Sequence, residues 1–328
     1  MRFGKRGIFF TFIAITLMTV FTLLFAPQSP ITLDRDAKSN AARIQVIDNY
    51  ADDLQGRYFE TVLRASSYKA LLSLALYTNS TGAFISNLDS SFQEVAINGT
   101  ISKVPIDTAL NKKIMENNTL LNWSSRISIA AKEAINVNTT ISISNVSISQ
   151  INPWNAEAVM IFNFTVNSNL AVWNKTNVRV KTTVSIEGLY DPYYFVNTNK
   201  AYSNKIKQSS VNFNDWDSSR VREHLRNGTY VHWSDSNAPS FLMRLTNDFS
   251  DNAQKSCCGI EALVNPNKVN PSNQAESYAD YLFWAHSFND CTKLYSINVL
   301  ADEFPNFKLE FEHLSKYNIK GYEATPTC

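Results

Sequence analysis

Hydrophobic and polar positions change rhythm three times along this chain. Residues 8–26 hold no charged side chain, and their only polar groups are the hydroxyls of Thr11, Thr16, Thr19 and Thr22. A helical threonine bonds its own backbone carbonyl one turn back. At ~1.5 Å per residue the stretch matches the ~30 Å hydrocarbon core of a bilayer, so it predicts a transmembrane helix. Pro27 and Pro30 follow it. Proline removes a backbone donor and clashes with the preceding turn, which predicts a bend or break there.

The second rhythm covers residues 35–77. Apolar side chains recur in steps of three and four through Ile44, Ile47, Leu54, Tyr58, Val62, Ala65, Leu72 and Leu76. That spacing predicts one amphipathic helix of roughly 65 Å. Asp34 and Asp36 suit its positive end, and the polar run from Thr78 to Gly82 is a stop signal. Gly56 costs an interior helix ~1 kcal/mol and marks a candidate bend. A coiled-coil stalk is the rival arrangement. Leu71, Leu72, Leu74, Ala75 and Leu76 widen the apolar face, which suits packing on a sheet better than a two-helix seam. Shorter helices are predicted at 84–96, stopped by Gly99, and at 119–135.

From Asn138 the period becomes two. Alternation over 141–148, with a slip between Ile143 and Val146, then over 158–166 and 178–186, predicts three short strands in a meander. The Asn-Pro-Trp-Asn run at 152–155 and the polar run 167–169 are the turns; Gly188 and Asp191-Pro192 close the unit. Helices first and an antiparallel sheet after give an α+β class. Residues 193–256 are rich in Asn, Ser, Tyr and Asp and predict loops with short helices near 216–226 and 239–249. Residues 294–300 read as a strand, and 307–317 fit strand and helix equally well. The expected organisation is a basic leader 1–7, a span 8–26, a helix-plus-sheet ectodomain 27–192, and a loop-rich, disulfide-stabilised region 193–328.

Composition and charge then fix the expected topology. With 328 residues, 44% hydrophobic and 18% charged, the chain is globular rather than disordered. A net charge of +1 leaves no global basic surface for nucleic acid. Arg2, Lys5 and Arg6 precede the span, whereas Asp34, Arg35 and Asp36 beyond it nearly balance. The positive-inside rule predicts a single-pass protein of the cell membrane, with residues 1–7 cytoplasmic and everything after Ala26 extracellular. A cleaved secretory signal is the rival, but Pro27 directly after Ala26 makes a poor cleavage site. A buried core helix is disfavoured by the length of the apolar run.

The junction Lys5-Arg6-Gly7-Ile8-Phe9-Phe10 resembles the class III signal of type IV pilin-like proteins, archaeal pilins and secretion pseudopilins in particular. The resemblance implies cleavage between Gly7 and Ile8, with the span retained as the first part of a long helix. It also implies that helix lying on an antiparallel sheet. The implied partners are the lipid bilayer, other pilin-like subunits and a membrane assembly platform. The chain departs from the family at Phe12, where most major pilins carry a subunit-docking glutamate five residues after the cut. That departure points to a minor or tip-like component. An uncut signal anchor is the plainer alternative.

All four cysteines, Cys257, Cys258, Cys291 and Cys328, lie in the last third. Four cysteines allow three connectivities. Pairing the neighbours 257 and 258 closes a strained ring and is set aside. Crosslinks from that pair to Cys291 and Cys328 are expected, worth roughly 3–4 kcal/mol by loop closure and requiring an oxidising compartment. Many pilins similarly pin a carboxyl-terminal loop. The spacing lacks a zinc pattern, so no metal is expected. Asn79, Asn98, Asn117, Asn122, Asn138, Asn145, Asn163, Asn174 and Asn227 open glycosylation sequons, which permit surface glycans.

Catalytic signatures are scarce. His224, His232, His286 and His313 form no zinc-hydrolase spacing, and there is no G-x-S-x-G elbow or glycine-rich phosphate loop. The acid pairs Asp215/Asp217 and Asp302/Glu303 read as solvated surface. No catalytic residue and no cofactor is therefore expected. Amphipathic aromatics in polar surroundings, Tyr190, Tyr193, Tyr194, Tyr281 and Trp284, are candidates for recognising a surface glycan or protein, with core packing as the rival. The expected function is a structural or adhesive component of a surface filament or secretion pseudopilus. The alternatives are an anchored ligand-binding or sensor module and an anchored extracellular hydrolase.

Overall fold

The computed structural model describes residues 15–19, 31–235, 237–250, 257–269, 276–285 and 291–324. Gly7, Ile8 and the predicted span lie outside these residues, apart from 15–19, which are helical. Among the described residues no helix is long and apolar enough to cross a membrane.

The amphipathic stretch forms one continuous helix. Helix α1 (Ile31–Asp53) passes through a π-helical turn, Leu54–Tyr58, into α2 (Phe59–Thr81). The whole run of 51 residues spans roughly 75 Å. Gly56, read from the sequence as a candidate bend, falls inside the π turn, where the missing side chain eases the wider coil. Burial divides the helix. Residues 37–46 are exposed except for half-buried Arg43, and Ile47 is the first buried side chain among those described. After Phe59 burial spreads over Val62, Leu63, Ala70, Leu71, Leu74 and Ala75, the wide face that a sheet requires. The helix stops where the sequence says it should: Gly82 adopts a left-handed conformation and donates its N–H to the Thr78 carbonyl at 2.8 Å.

Helix α3 (Leu88–Asn98) is capped by the Asn87 side chain and ended by left-handed Gly99. Helix α4 (Leu120–Ile135) begins on Thr119, whose hydroxyl accepts from the Asn122 N–H at 3.1 Å. Three antiparallel strands follow, β1 (Asn138–Asn152), β2 (Asn155–Asn167) and β3 (Val172–Ser185), in the order β1-β2-β3. The slip in the sequence alternation is a β-bulge between Ile143 and Asn145, which returns Val146 and Ile148 to the buried face. Central β2 buries Ala156, Ala158, Met160, Phe162, Phe164 and Val166 in strict alternation. Helix α2 lies against β2 and β3, with Phe59 packed 4.5 Å from Phe162, and α3 and α4 cover β1.

The two ends of this meander have different neighbours. At one end Tyr50 meets Thr139 at 3.0 Å, and Trp173 Nε1 donates to Asp48 at 3.2 Å, tying the sheet to α1. At the other end, roughly 50 Å along the 15-residue strand β1, the 152–155 turn meets the carboxyl-terminal region. Gln150 accepts from the Leu242 N–H at 3.1 Å there and donates to the Cys258 carbonyl.

The carboxyl-terminal region is rich in turns, and its helices Ser218–Asn227 and Phe241–Thr246 fall where the sequence predicts short helices. Its elements are short, among them helices Ser218–Asn227, Phe241–Thr246 and Asp280–Ala285, but it carries a dense interior. Trp233, Tyr230, Tyr278 and Tyr317 are buried, in one hydrophobic cluster that runs from Ile47 to Ile319. The ambiguous 307–317 stretch is both things in turn, strand Lys308–Glu310 and then helix Phe311–Lys316. That strand and Tyr322–Ala324 flank Leu294–Ile297 in a second antiparallel sheet.

The cysteine pairing departs from expectation. Cys257 is joined to Cys258, the neighbour pairing that the sequence set aside, and not to Cys291 or Cys328. Their Cα atoms are 3.7 Å apart, below the usual disulfide span, which is why the sequence argument discounted them. Cys258 is fully buried with its sulfur 3.7 Å from the Gln150 carbonyl. Cys328 and the Cys291 side chain lie outside the described residues.

Candidate functional site

The meander turn at 152–155 supplies the first wall of a cleft, half-buried Trp154. The second wall comes from the segment that crosses beside it. Gln208 pairs in parallel with Tyr230, and the Ser209 N–H donates to the Tyr230 carbonyl at 2.8 Å. The chain then turns through a 3-10 segment, Phe213–Asp215, braced by Asn212 donating to Asp215 at 2.9 Å. Phe213 is left 66% exposed on this turn. Trp216, Tyr230 and Trp233 make the floor, and His232 completes a cleft of about 230 Å³.

A buried network fixes the floor. The Trp233 ring sits 5.0 Å from Phe213, 5.4 Å from Tyr317 and 6.2 Å from Trp216. Its Nε1 donates to Glu261 at 2.8 Å, and the Tyr317 hydroxyl donates to the same oxygen at 3.0 Å. The other Glu261 oxygen meets His313 Nε2 at 3.2 Å, while His313 Nδ1 faces Glu310. Ser277 donates to Glu310 in turn. Burial would push the Glu261 carboxyl up, but the neighbouring His313 charge and hydrogen bond, the Lys316 charge and the Tyr317 bond together hold it at about 2. The Trp233 donor is thus consumed internally, and the indole offers the cleft only its ring.

His232 has its tautomer set by the backbone. Its Nδ1 lies 2.7 Å from the Gly259 carbonyl, which can only accept, so Nδ1 carries the hydrogen. A neutral ring then leaves Nε2 as an acceptor. Gly259 directly follows the Cys257–Cys258 pair, so the disulfide loop orients this histidine through one backbone bond.

A second network lies deeper. Arg244, Asp191 and Asp280 have fully buried side chains. Arg244 donates to Asp191 at 2.7 Å and to Asp280 at 2.7 and 3.3 Å, and also to the Ile260 carbonyl. The Tyr230 hydroxyl of the cleft floor donates to Asp191 at 2.8 Å. Asp280 is pushed up to about 6, by burial first, against the pull of Arg244 and with repulsion from Asp191 adding to the rise.

These positions correct the aromatic candidates. Tyr193, Tyr194, Tyr281 and Trp284 are buried core side chains rather than recognition surfaces. Tyr193 lies under the Arg244 guanidinium at 4.8 Å, and Tyr194 packs edge-on against Trp284 at 5.8 Å. Tyr190 alone of the five is half-buried, with Lys205 Nζ 4.9 Å over its ring. Of the acid pairs, Asp302 and Glu303 bind Arg222, and Glu303 also binds Arg226, while Asp217 caps helix Ser218–Asn227. Among the described residues no group of three or more His, Cys, Asp or Glu side chains is placed to hold a metal ion. The cleft residues Trp154, Phe213, Trp216 and Trp233 were missed because they join only when the meander turn meets a segment some sixty to eighty positions later. The one available signal was the density of tryptophan in an asparagine-rich stretch.

Comparison with protein families, with curated proteins and with solved structures gives no match to this chain.

The two buried titrating groups near the floor set an acid limit. Glu261 falls from an ordinary 4.5 to about 2, and buried His224 falls from 6.5 to about 4, through burial opposed by the Glu261 charge. In both cases the unfolded chain binds the proton more readily. Stability is therefore full above pH 6.5 and is lost as pH falls through 4 and then toward 2. Raised Asp280 works the opposite way, giving stability below 3.8 that is lost as pH rises through 6. Urea unfolding midpoints should fall steeply from pH 5 to pH 2, and Glu261→Gln should flatten that slope. An equally steep slope in the variant would contradict the assignment.

Proposed function

We propose that this chain is a membrane-anchored, pilin-like protein of the cell exterior, a structural or adhesive component of a surface filament or secretion pseudopilus. The observation that carries the reading is the divided helix. One continuous run from Ile31 to Thr81 packs its second half on an antiparallel meander, and ahead of the first buried contacts residues 37–46 are exposed apart from half-buried Arg43. The apolar stretch 8–26, behind a basic leader ending in Gly7, precedes that exposed half in sequence. Ile44 and Val46, 40% and 49% exposed, offer apolar contacts to neighbouring helices. The Cys257–Cys258 disulfide is at home in an oxidising exterior.

In this arrangement the sheet end tied to α1 faces the membrane and the aromatic cleft sits at the distal end. The cleft also favours a second reading, an anchored ligand-binding module that works without subunit assembly. A photo-crosslinking residue at Val46, introduced in native cells, separates the two. Subunit assembly gives products joining residue 46 to a second copy or to another small single-span protein. Crosslinks to lipid alone leave the module reading and remove the filament.

A further inference from the structure

We propose that the cleft between Trp154, Phe213 and His232 binds a neutral sugar ring. This goes beyond the anchored, pilin-like reading and does not depend on it, since no residue of the long helix takes part.

The walls point to a flat ligand with an apolar face. Phe213 is 66% exposed on a turn braced by its own hydrogen bond, although the apolar core lies directly beneath it. An aromatic held out at that exposure, met edge-on by Trp233 at 5.0 Å and beside half-buried Trp154, makes a surface on which a ring can stack. The floor does not yield, because Trp233 is fastened to Glu261, and Glu261 to His313 and Tyr317.

The polar groups say what edges the ligand has. His232 Nε2 is an acceptor by the tautomer argument. The exposed Gln208 amide supplies a donor and an acceptor, and the Ser209 hydroxyl, which accepts from the Val211 N–H, keeps its hydrogen for donation. Donors and acceptors interleaved at the rim of an aromatic cleft match hydroxyls on a ring whose carbon–hydrogen face stacks. Among the described residues no lysine or arginine lines the cleft, which disfavours phosphates and nucleotides. At about 230 Å³ it is smaller than the roughly 300–1,000 Å³ of cofactor-sized pockets, and it suits one ring. A proline-rich peptide would need an extended groove with successive aromatic ridges, where this is a single depression.

The test uses the full chain in phosphatidylcholine nanodiscs, since sugar-headed detergents would occupy the cleft. Methyl glycosides of glucose, galactose, mannose and N-acetylglucosamine are titrated by saturation-transfer NMR and tryptophan fluorescence. At least one should bind saturably, with a dissociation constant of roughly 1 mM, as expected of a single ring. Phe213→Ala and His232→Phe should each weaken that binding by about fivefold or more, with an unchanged far-UV spectrum. Absence of saturable binding for all four glycosides overturns the proposal. So does binding unaltered by both substitutions, or saturation of the same tryptophans by a proline-rich peptide instead. None of these outcomes touches the Val46 crosslinks, so the two readings fail separately.

Discussion

Arg244→Leu is expected to destabilise the fold by about 3–5 kcal/mol, the largest loss among single side-chain changes considered. The guanidinium is sealed from solvent and is the cation that Asp191 and Asp280 both contact. Removing it leaves two buried carboxylates without their shared cation, although Asp191 keeps the bonds from the Tyr230 hydroxyl and the Tyr193 N–H. The shift of Asp280 to about 6 already shows that this acid ionises reluctantly even with Arg244 present. Without the arginine the Asp280 carboxyl should be pushed up further, and the loss should be greatest at high pH. Arg244→Lys keeps a charge but cannot reproduce the fork that reaches Asp191, Asp280 and the Ile260 carbonyl together, so it should fall between. Adding Asp191→Asn and Asp280→Asn to Arg244→Leu should recover part of the loss. Urea unfolding at pH 5 and pH 8 measures all three. A loss under about 1 kcal/mol for Arg244→Leu would mean that water reaches the triad. The same change should loosen the cleft floor, because Tyr230 shares Asp191 with Arg244.

Deleting residues 1–30 is expected to move the chain completely from the membrane fraction to the soluble fraction. The expectation rests on the uncharged run 8–26, and among the described residues the buried core begins at Ile47. The body should then refold with the same urea midpoint as the parent. Retention of the shortened chain on membranes would shift the anchoring to some other surface. In the intact chain, mass spectrometry of the amino terminus should find Ile8 as the first residue if pilin-type processing occurs. A start at Pro27 would indicate release, and an intact Met1 an uncut anchor.

Much of the fold was legible because it is built from long periodic elements with local punctuation. Gly82 and Gly99 end helices at the residues the sequence nominates, and Thr119 starts one. Even the slip between Ile143 and Val146 is a physical bulge. Gly56 marked an irregularity, though the sequence could not say that the coil would widen into a π turn rather than bend. Beyond Asp191 the sequence still placed the short helices near 216–226 and 239–249 and the strand from Leu294, but not how they pack together. Elements of three to ten residues buried on several sides carry no stable period, so a packed interior read as loops. Charge made the error worse. Arg244 finds Asp191 across 53 positions and Asp280 across 36, and polar residues that would mark surface are instead the centre of the core. Tyr193 and Tyr194 were misplaced by the same logic. The cleft was invisible in turn, because Trp154 belongs to the meander and its companions to a segment that only tertiary packing brings beside it. The cysteines were misread through geometry, since the usual disulfide span excludes neighbours and the structure nevertheless joins them.

The central claim is that the apolar amino terminus stays in the lipid and carries the packed body to the exterior. Intact cells treated with a membrane-impermeant amine reagent test it directly, with modified lysines located by mass spectrometry. Lys112 and Lys207 are exposed on the body and should be labelled as fully in intact cells as after lysis. Labelling of these two only once the membrane is broken would place the body in the cytoplasm and contradict the account.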